Sequence, residues 1–320
     1  MLNNPVLLAD IGATNARLAF TLDGKDYVNP EEYKIKEFRS LHDLCSHYIK
    51  NLSERVPLTK AVIGVAAPVT KDVVSFVNID LTFSQKKIKK DLFPNGLVVM
   101  NDLALQAHSL GGLPSESIIN IGGFVTPPGE GPKILVIPGT GLGLAGIVNE
   151  YVISSEAGHI EIPGILDNRD LRKVVDMFTK NNSRIPNFED LLSGKGINLI
   201  YKHLSGGQDL NILDNDIFTS NDKYSKSTSI LFVNLFAIYL RYMTLIWGAT
   251  GGVYISGNIV NSMMQNLDQV KFRRIFEESQ TMQEVLISSP IYFIENKDLG
   301  FRGGLIIAGK ESSREGKDLH

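Results

Sequence analysis

Apolar and polar positions alternate along the chain with two periods, and the two periods divide it into strands and helices. Val6–Leu8 is apolar, Asp10-Ile11-Gly12-Ala13-Thr14-Asn15 is turn chemistry, and Arg17–Leu22 resumes an extended run. That order predicts a hairpin, with Asp23-Gly24 offering the next turn. From Ser40 to Leu52 the spacing of Leu41, Leu44, Tyr48 and Leu52 is helical. Ala61–Ala67 reads as a buried strand, and Ser84–Leu92 as a polar helix with Ser84 as its N-cap. Leu97–Met100 is a short strand that runs into Asn101-Asp102, and Leu103–Leu110 is helical. Strands follow at Lys133–Ile137, Leu144–Val148 and Glu150–Ser154, and helices at Asn168–Lys180 and Phe188–Leu192. Gly251–Gly257 encloses a strand between glycine turns, Val285–Ser289 and Ile291–Ile294 read as late strands, and the polar tail from Lys310 is expected to fray.

Gly111-Gly112-Leu113-Pro114 separates the two halves of this pattern. With 320 residues the chain exceeds one ordinary core and suits two α/β lobes with mixed sheets. Ile230–Trp247 is largely apolar, but Asn234 and Arg241 fall on one helical face, which fits a buried helix with a polar stripe better than a membrane span. Net charge is −3, so no broad electropositive field for nucleic acid is expected. The single cysteine, Cys45, makes neither an intrachain disulfide nor a cysteine zinc site. Met1 to Asp10 lacks a signal-peptide pattern, and together with Cys45 this leads to a cytoplasmic expectation.

Three glycine turns accompany apolar strands: Asp10–Asn15, Gly139–Gly143 and Gly251–Gly257. Each offers backbone N–H groups to an anion, or simply makes a tight turn. In the first, Thr14 and Asn15 add side-chain donors, and Asp10 beside them suggests a hydrated Mg²⁺ between carboxylate and phosphate. Gly141-Leu142-Gly143-Leu144-Ala145-Gly146 matches the dinucleotide fingerprint literally, but that reading needs a helix where Leu144–Val148 looks extended.

Asp102 follows a strand, where a carboxylate can serve as general base or, with Asn101, cap the next helix. Glu156, His159 and Glu161 gather within six positions as weak metal ligands, a solvated loop, or partners for a polyhydroxylated ligand. Glu189 and Asn78 are further candidates with strong structural alternatives.

The order of these motifs closely resembles the bacterial-type ATP-dependent glucokinases, within the superfamily of hexokinase, actin and the heat-shock ATPases. Leu8–Arg17 is similar to the first phosphate motif, with Ala13 where glycine is usual. Asn101-Asp102 resembles the strand-end catalytic pair, and Pro138–Gly143 the second phosphate motif. Glu156-Ala157-Gly158-His159 resembles the sugar signature, again with alanine for glycine, and Glu189 precedes a Leu-Ser-Gly-x-Gly run at 192–196. Gly251–Gly257 is similar to the adenosine motif. A methyl group at positions 13 and 157 requires negative φ there.

The resemblance implies a two-lobed actin-like ATPase (ribonuclease H-like) α/β fold, with mixed sheets flanked by helices and a cleft that closes between the lobes. Residues 1–110 would form the small lobe, joined by a C-terminal helix from 300–320, and 111–299 the large lobe. It implies that Asp102 is the general base on the 6-hydroxyl of D-glucose, and that Asn78, Asn101, Glu156, His159 and Glu189 bind the sugar. Gly12, Thr14, Asn15, Gly139, Thr140, Gly141, Gly251 and Gly252 would hold ATP, with Asp10 acting on Mg²⁺ through water. A homodimer is expected. The rivals are a kinase of the repressor–kinase (ROK) group, which usually carries a cysteine-rich zinc motif, and a non-catalytic sugar sensor.

Overall fold

Val6–Ile11 (β1) is apolar except for Asp10, and all six of its residues are buried, as expected of a central strand covered on both sides. In this computed structural model, residues 5–52, 56–76, 79–122, 129–163, 168–208, 213–295 and 298–315 are described. Asn78 lies outside the described residues.

The chain divides into two compact units, Met1–Leu113 with Asp298–His320, and Pro114–Lys297. The first unit holds β1, β2 (Asn15–Thr21), β3 (Val28–Lys34), α1 (Leu41–Asn51), β4 (Lys60–Val65), β5 (Val73–Ser75), β6 (Thr82–Ser84), α2 (Gln85–Asp91), β7 (Gly96–Asn101) and α3 (Asp102–His108). Its sheet runs β3-β2-β1-β4-β7: the hairpin is antiparallel, whereas β4 lies parallel to β1 and to β7. Ser40 and Ser84 cap α1 and α2, accepting from the N–H groups of Asp43 and Lys87. On one face of the sheet Leu7, Ala9 and Ile11 pack with Tyr48 and Phe93. On the other, Val6 and Leu8 pack with Leu105, Phe301 and Leu305.

The second unit contains β8 (Ile118–Asn120), β9 (Lys133–Pro138), β10 (Leu142–Val148), β11 (Tyr151–Ser155), α4 (Arg169–Asn182), α5 (Phe188–Leu191), α6 (Gly194–Leu204), α7 (Lys223–Trp247), β12 (Gly252–Ile255), α8 (Asn258–Met264), α9 (Gln269–Glu277), α10 (Gln283–Ser288) and β13 (Ile291–Ile294). Its sheet order is β11-β10-β9-β12-β13-β8, with β12 parallel to β9 and β13 and the other pairings antiparallel. The chain then returns to the first unit as α11 (Leu299–Glu315). Among the described residues α7 alone is long and apolar enough to cross a membrane. Its Phe232, Leu235, Phe236, Tyr239 and Leu240 are buried in the unit's core, and Arg241 donates to the Phe276 carbonyl at the end of α9 (3.3 Å). It packs as a core helix.

Two expectations fail. Val285–Ser289 lies in the helix α10 and its cap rather than in a strand. The guanidinium of Arg273 donates to the carbonyls of Leu286, Ile287 and Ser289 and satisfies the end of that helix. The polar tail does not fray at Lys310: α11 continues to Glu315. Cys45 is buried and its thiol is pushed up to about 12 by burial alone, so it is chemically quiet.

One half-buried base gives the first unit a pH signature. His108, at the end of α3, has its pKa lowered by burial, with the positive charge of Lys310 adding to the effect. In the unfolded chain the imidazole titrates near 6.5. Below that value the unfolded state takes up a proton that the folded state resists, so stability falls as pH falls. We predict that His108→Gln removes this slope. The check is a comparison of urea midpoints at about pH 7.5 and about pH 5.5 for both proteins. A wild-type midpoint that rises on acidification contradicts the assignment.

Candidate functional site

In the first unit the site is built on two strand ends. The β1–β2 hairpin turns at Gly12–Thr14, where Gly12 N–H donates to the Asn15 carbonyl (3.0 Å) and Ile35 N–H to that of Thr14 (3.1 Å). Thr14 is exposed, and Asn15 Oδ1 accepts from Lys34 Nζ (2.7 Å). Neither Ala13 nor Ala157 has a positive φ, so both tolerate the methyl group that replaces the usual hydrogen. A pocket of about 620 Å³ adjoins this turn, lined by Ala13, Thr14, Lys34, Lys36, Phe38 and Asp80 among others.

Asp10 pairs with Arg17 across the hairpin. It is only 6% exposed, and its Oδ2 accepts from Arg17 Nη2 (2.6 Å) and Gln106 Nε2 (3.4 Å). Arg17 also lies 3.7 Å from Asp298, whose other oxygen accepts from Tyr27 Oη (2.7 Å). Burial, followed by that hydrogen bond, pushes the Tyr27 phenol up to about 12, so it remains a donor at neutral pH. Arg17 and Gln106 thus hold the Asp10 carboxylate, and Arg17 links it to Asp298, a network the sequence reading missed. The signal was present: in a hairpin with this turn, position 17 stands opposite position 10.

Asn101 and Asp102 lie where β7 passes into α3, and both are half-buried. Asn101 Oδ1 accepts from Ala104 N–H (3.2 Å), so it caps the helix. Asp102 Oδ1 accepts from Leu103 N–H (2.8 Å), which fixes the carboxylate at the helix start. The helix reaches the sheet because β4 carries Gly64 there: a Cβ at that position would come within 2.7 Å of Leu105 and 3.1 Å of the Asp102 Cα.

In the second unit the turn between β9 and β10 is the centre. Gly139 N–H donates to the Gly141 carbonyl (2.7 Å), and Gly194 N–H to that of Gly139 (2.9 Å). Thr140 is exposed at its tip. Glu189, on α5, reaches back to this turn, and its Oε2 accepts from Leu142 N–H (2.9 Å). Position 141 must be glycine for this approach, since a Cβ there would lie 2.6 Å from Glu189 Oε2. Behind Glu189, Phe188 packs on Tyr239 with ring centroids 4.9 Å apart. Burial raises the Tyr239 phenol, and the Glu189 carboxylate adds to the effect.

The segment 156–162 is strapped to the entry of α5. Phe188 N–H donates to Ile160 (3.0 Å), Ile162 N–H donates to Pro186 (2.9 Å), and Glu161 bridges to Asn187. Glu156 and His159 therefore share a neighbourhood with Glu189. Glu156 Oε2 lies 3.9 Å from His159 Nε2, with 73% and 56% of the two side chains exposed.

Gly251 and Gly252 are not brought to this turn. Gly252 pairs with Lys133 at the start of β9, whereas Gly139 follows the end of that strand. The four residues of β12 separate the two ends by roughly 10 Å. Gly257, at the other end of β12, is the glycine beside Ile137 and Pro138: a Cβ on it would lie 2.9 Å from Ile137 Cγ2. Ligands in such sheets bind beyond the carboxyl ends of parallel strands, and that rule singles out Gly257. Gly143 and Gly146 lie within β10, which continues into an antiparallel hairpin with β11, so the dinucleotide reading lacks its helix.

Among the described residues no group of three or more His, Cys, Asp or Glu could hold a metal ion. Asp10, the one buried carboxylate among the described residues, suits an ion that keeps most of its water, as Mg²⁺ does.

Two mixed sheets flanked by helices, with a glycine turn at the end of β9, are consistent with the two-lobed actin-like kinase fold. A family model described as glucokinase matches residues 7–311. The glucokinase of Colwellia psychrerythraea is 29% identical over 93% of this chain and 94% of its own length. The crystal structure of a glucokinase from an Antarctic psychrotroph is 25% identical, with a TM-score of 0.79 over 96% of this chain and 99% of that one. That of Balamuthia mandrillaris glucokinase with glucose gives 0.83 at 17% identity, covering 96% and 94%. The chain belongs to the glucokinase family and is a hexose phosphotransferase.

Proposed function

We propose that the chain transfers the γ-phosphoryl group of ATP to the 6-hydroxyl of D-glucose. The observation that supports this most is the linkage of Glu189 to the Gly139–Gly141 turn and of Glu156 and His159 to the entry of the same helix. A glycine turn and three side chains suited to hydroxyl groups then belong to one local scaffold. Carboxylates accept from sugar hydroxyls, and an imidazole can do either. Asn101 is a further sugar ligand in this reading, and Asp102 the base. Asp102 takes the hydroxyl proton as the O–H bond breaks. The sugar oxygen forms its bond to the γ-phosphorus, and the bond to the β-phosphate oxygen breaks to release ADP.

Thr14, Asn15, Gly139, Thr140 and Gly141 hold phosphates, and Gly257 replaces Gly251 and Gly252 as the glycine beside the second turn. Asp10 would hold Mg²⁺ through water, and the ion would neutralise charge on the ATP phosphates. Arg17 and Gln106 orient that carboxylate. A cytoplasmic location and a homodimer belong to the same reading.

The test is a coupled ADP-release assay over a hexose panel, with Mg²⁺ omitted as control. ADP release that depends on D-glucose and on Mg²⁺ is expected. Release that is no faster with any hexose than without contradicts the reading.

A further inference from the structure

Asn187 is the N-cap of α5, and its amide is oriented by a reciprocal pair of bonds. Its Oδ1 accepts from Asp190 N–H (2.8 Å), and Asp190 Oδ2 accepts from Asn187 N–H (2.8 Å). The Asp190 carboxylate is gripped on both oxygens by Arg184 (2.6 and 2.8 Å), whose guanidinium lies 4.9 Å over the Phe178 ring. A backbone N–H can only donate, so the side-chain atom facing Asp190 N is the oxygen. The amide nitrogen Nδ2 must then face the other way, and there it meets His159 Nδ1 at 3.3 Å.

An amide NH₂ is donor only. His159 Nδ1 must accept, and the proton of the neutral imidazole sits on Nε2. Nε2 is the atom that lies 3.9 Å from Glu156 Oε2 on the exposed side. We propose that Asn187 is a positioning residue that fixes the Nε2–H tautomer of His159, so that Nε2–H and the Glu156 carboxylate present one donor and one acceptor to the sugar. A hydroxyl oxygen accepts from His159, and a hydroxyl proton goes to Glu156. The helix cap thus sets the polarity of the sugar contact. The strap between 160–162 and 186–188 keeps the cap and the imidazole in register. The proposal rests on the reading of His159 as a sugar ligand.

The experiment is ¹⁵N NMR of the full chain with labelled histidine, read with steady-state kinetics on glucose. His159→Ala assigns the signal. The wild type is expected to show the Nε2–H tautomer. Asn187→Asp keeps a good cap but turns an oxygen toward Nδ1, and it is expected to move the proton there. Its KM for glucose should rise about tenfold, with kcat changed by less than about threefold. Asn187→Ser keeps the cap and drops the contact, and it should show mixed tautomers with a smaller rise in KM. A wild-type spectrum with Nδ1–H, or an unchanged tautomer in Asn187→Asp, overturns the assignment. A switched tautomer with unchanged KM overturns the role in binding. If KM is also unmoved in His159→Ala, the sugar reading of this loop is what has failed.

Discussion

Asp102→Asn will lower kcat by about 10²–10⁴-fold while glucose still binds with nearly its original affinity. The replacement keeps the shape of the side chain. Its carbonyl oxygen can still accept from Leu103 N–H, which the Asp102 carboxylate does at 2.8 Å, so the start of α3 is preserved. What is lost is the capacity to accept a proton. Asn101 supplies the N-cap by accepting from Ala104 N–H, and Asp102 adds a second contact to the same first turn. Capping and the proposed role as base are therefore not exclusive at this strand end. Glucose titration by calorimetry alongside turnover separates the outcomes. Turnover within about threefold of wild type would remove Asp102 from the chemistry.

Arg273→Met will lower the melting temperature by about 6–20 °C, from a loss of about 3–5 kcal/mol. Arg273 is 5% exposed and lies 5.0 Å over the Phe276 ring. It donates to the carbonyls of Ser289 (2.7 Å), Leu286 (2.8 Å) and Ile287 (2.9 Å), and to Glu277 on its own helix. Burial lowers its pKa, and the hydrogen bond to Glu277 opposes that shift. Methionine fills the volume but donates nothing. The end of α10 then keeps buried carbonyls without donors, and Glu277 loses its partner. Calorimetric melting checks this, and a change within about 2 °C would show that these contacts carry little of the unit's stability.

Arg273 also explains why part of the fold was hidden in the sequence. Val285-Leu286-Ile287 is a short apolar run, and such runs read equally well as strand or helix. The donor that settles the matter comes from α9, more than ten positions earlier. The strand β3 was hidden for the opposite reason: Val-Asn-Pro-Glu-Glu-Tyr-Lys is polar and almost wholly exposed at a sheet edge, so no alternation marks it. Elements with local signals were legible. Ser84 caps its helix as its position suggested, and Gly146 sits in a strand.

The candidate site divides in the same way. The types Asp102, Glu156, His159 and Glu189 could be read from motif order. The bond from Leu142 N–H to Glu189 joins positions 47 apart, and no spacing rule reveals it. Asn187 was within reach, because Asn187 and Asp190 have the spacing of a capping box. The motif at 251–257 does not itself say which end of its strand meets the second turn: Gly251 and Gly252 lie at the start of the strand, and Gly257 at the end beside Ile137.

The most direct test of the central claim is ³¹P and ¹³C NMR of the reaction mixture of the full chain with ATP, Mg²⁺ and D-glucose. ADP and a phosphate ester on carbon 6 of the sugar, formed in equal amounts, are predicted. Free phosphate without a sugar ester, or an ester on any other carbon, would contradict it.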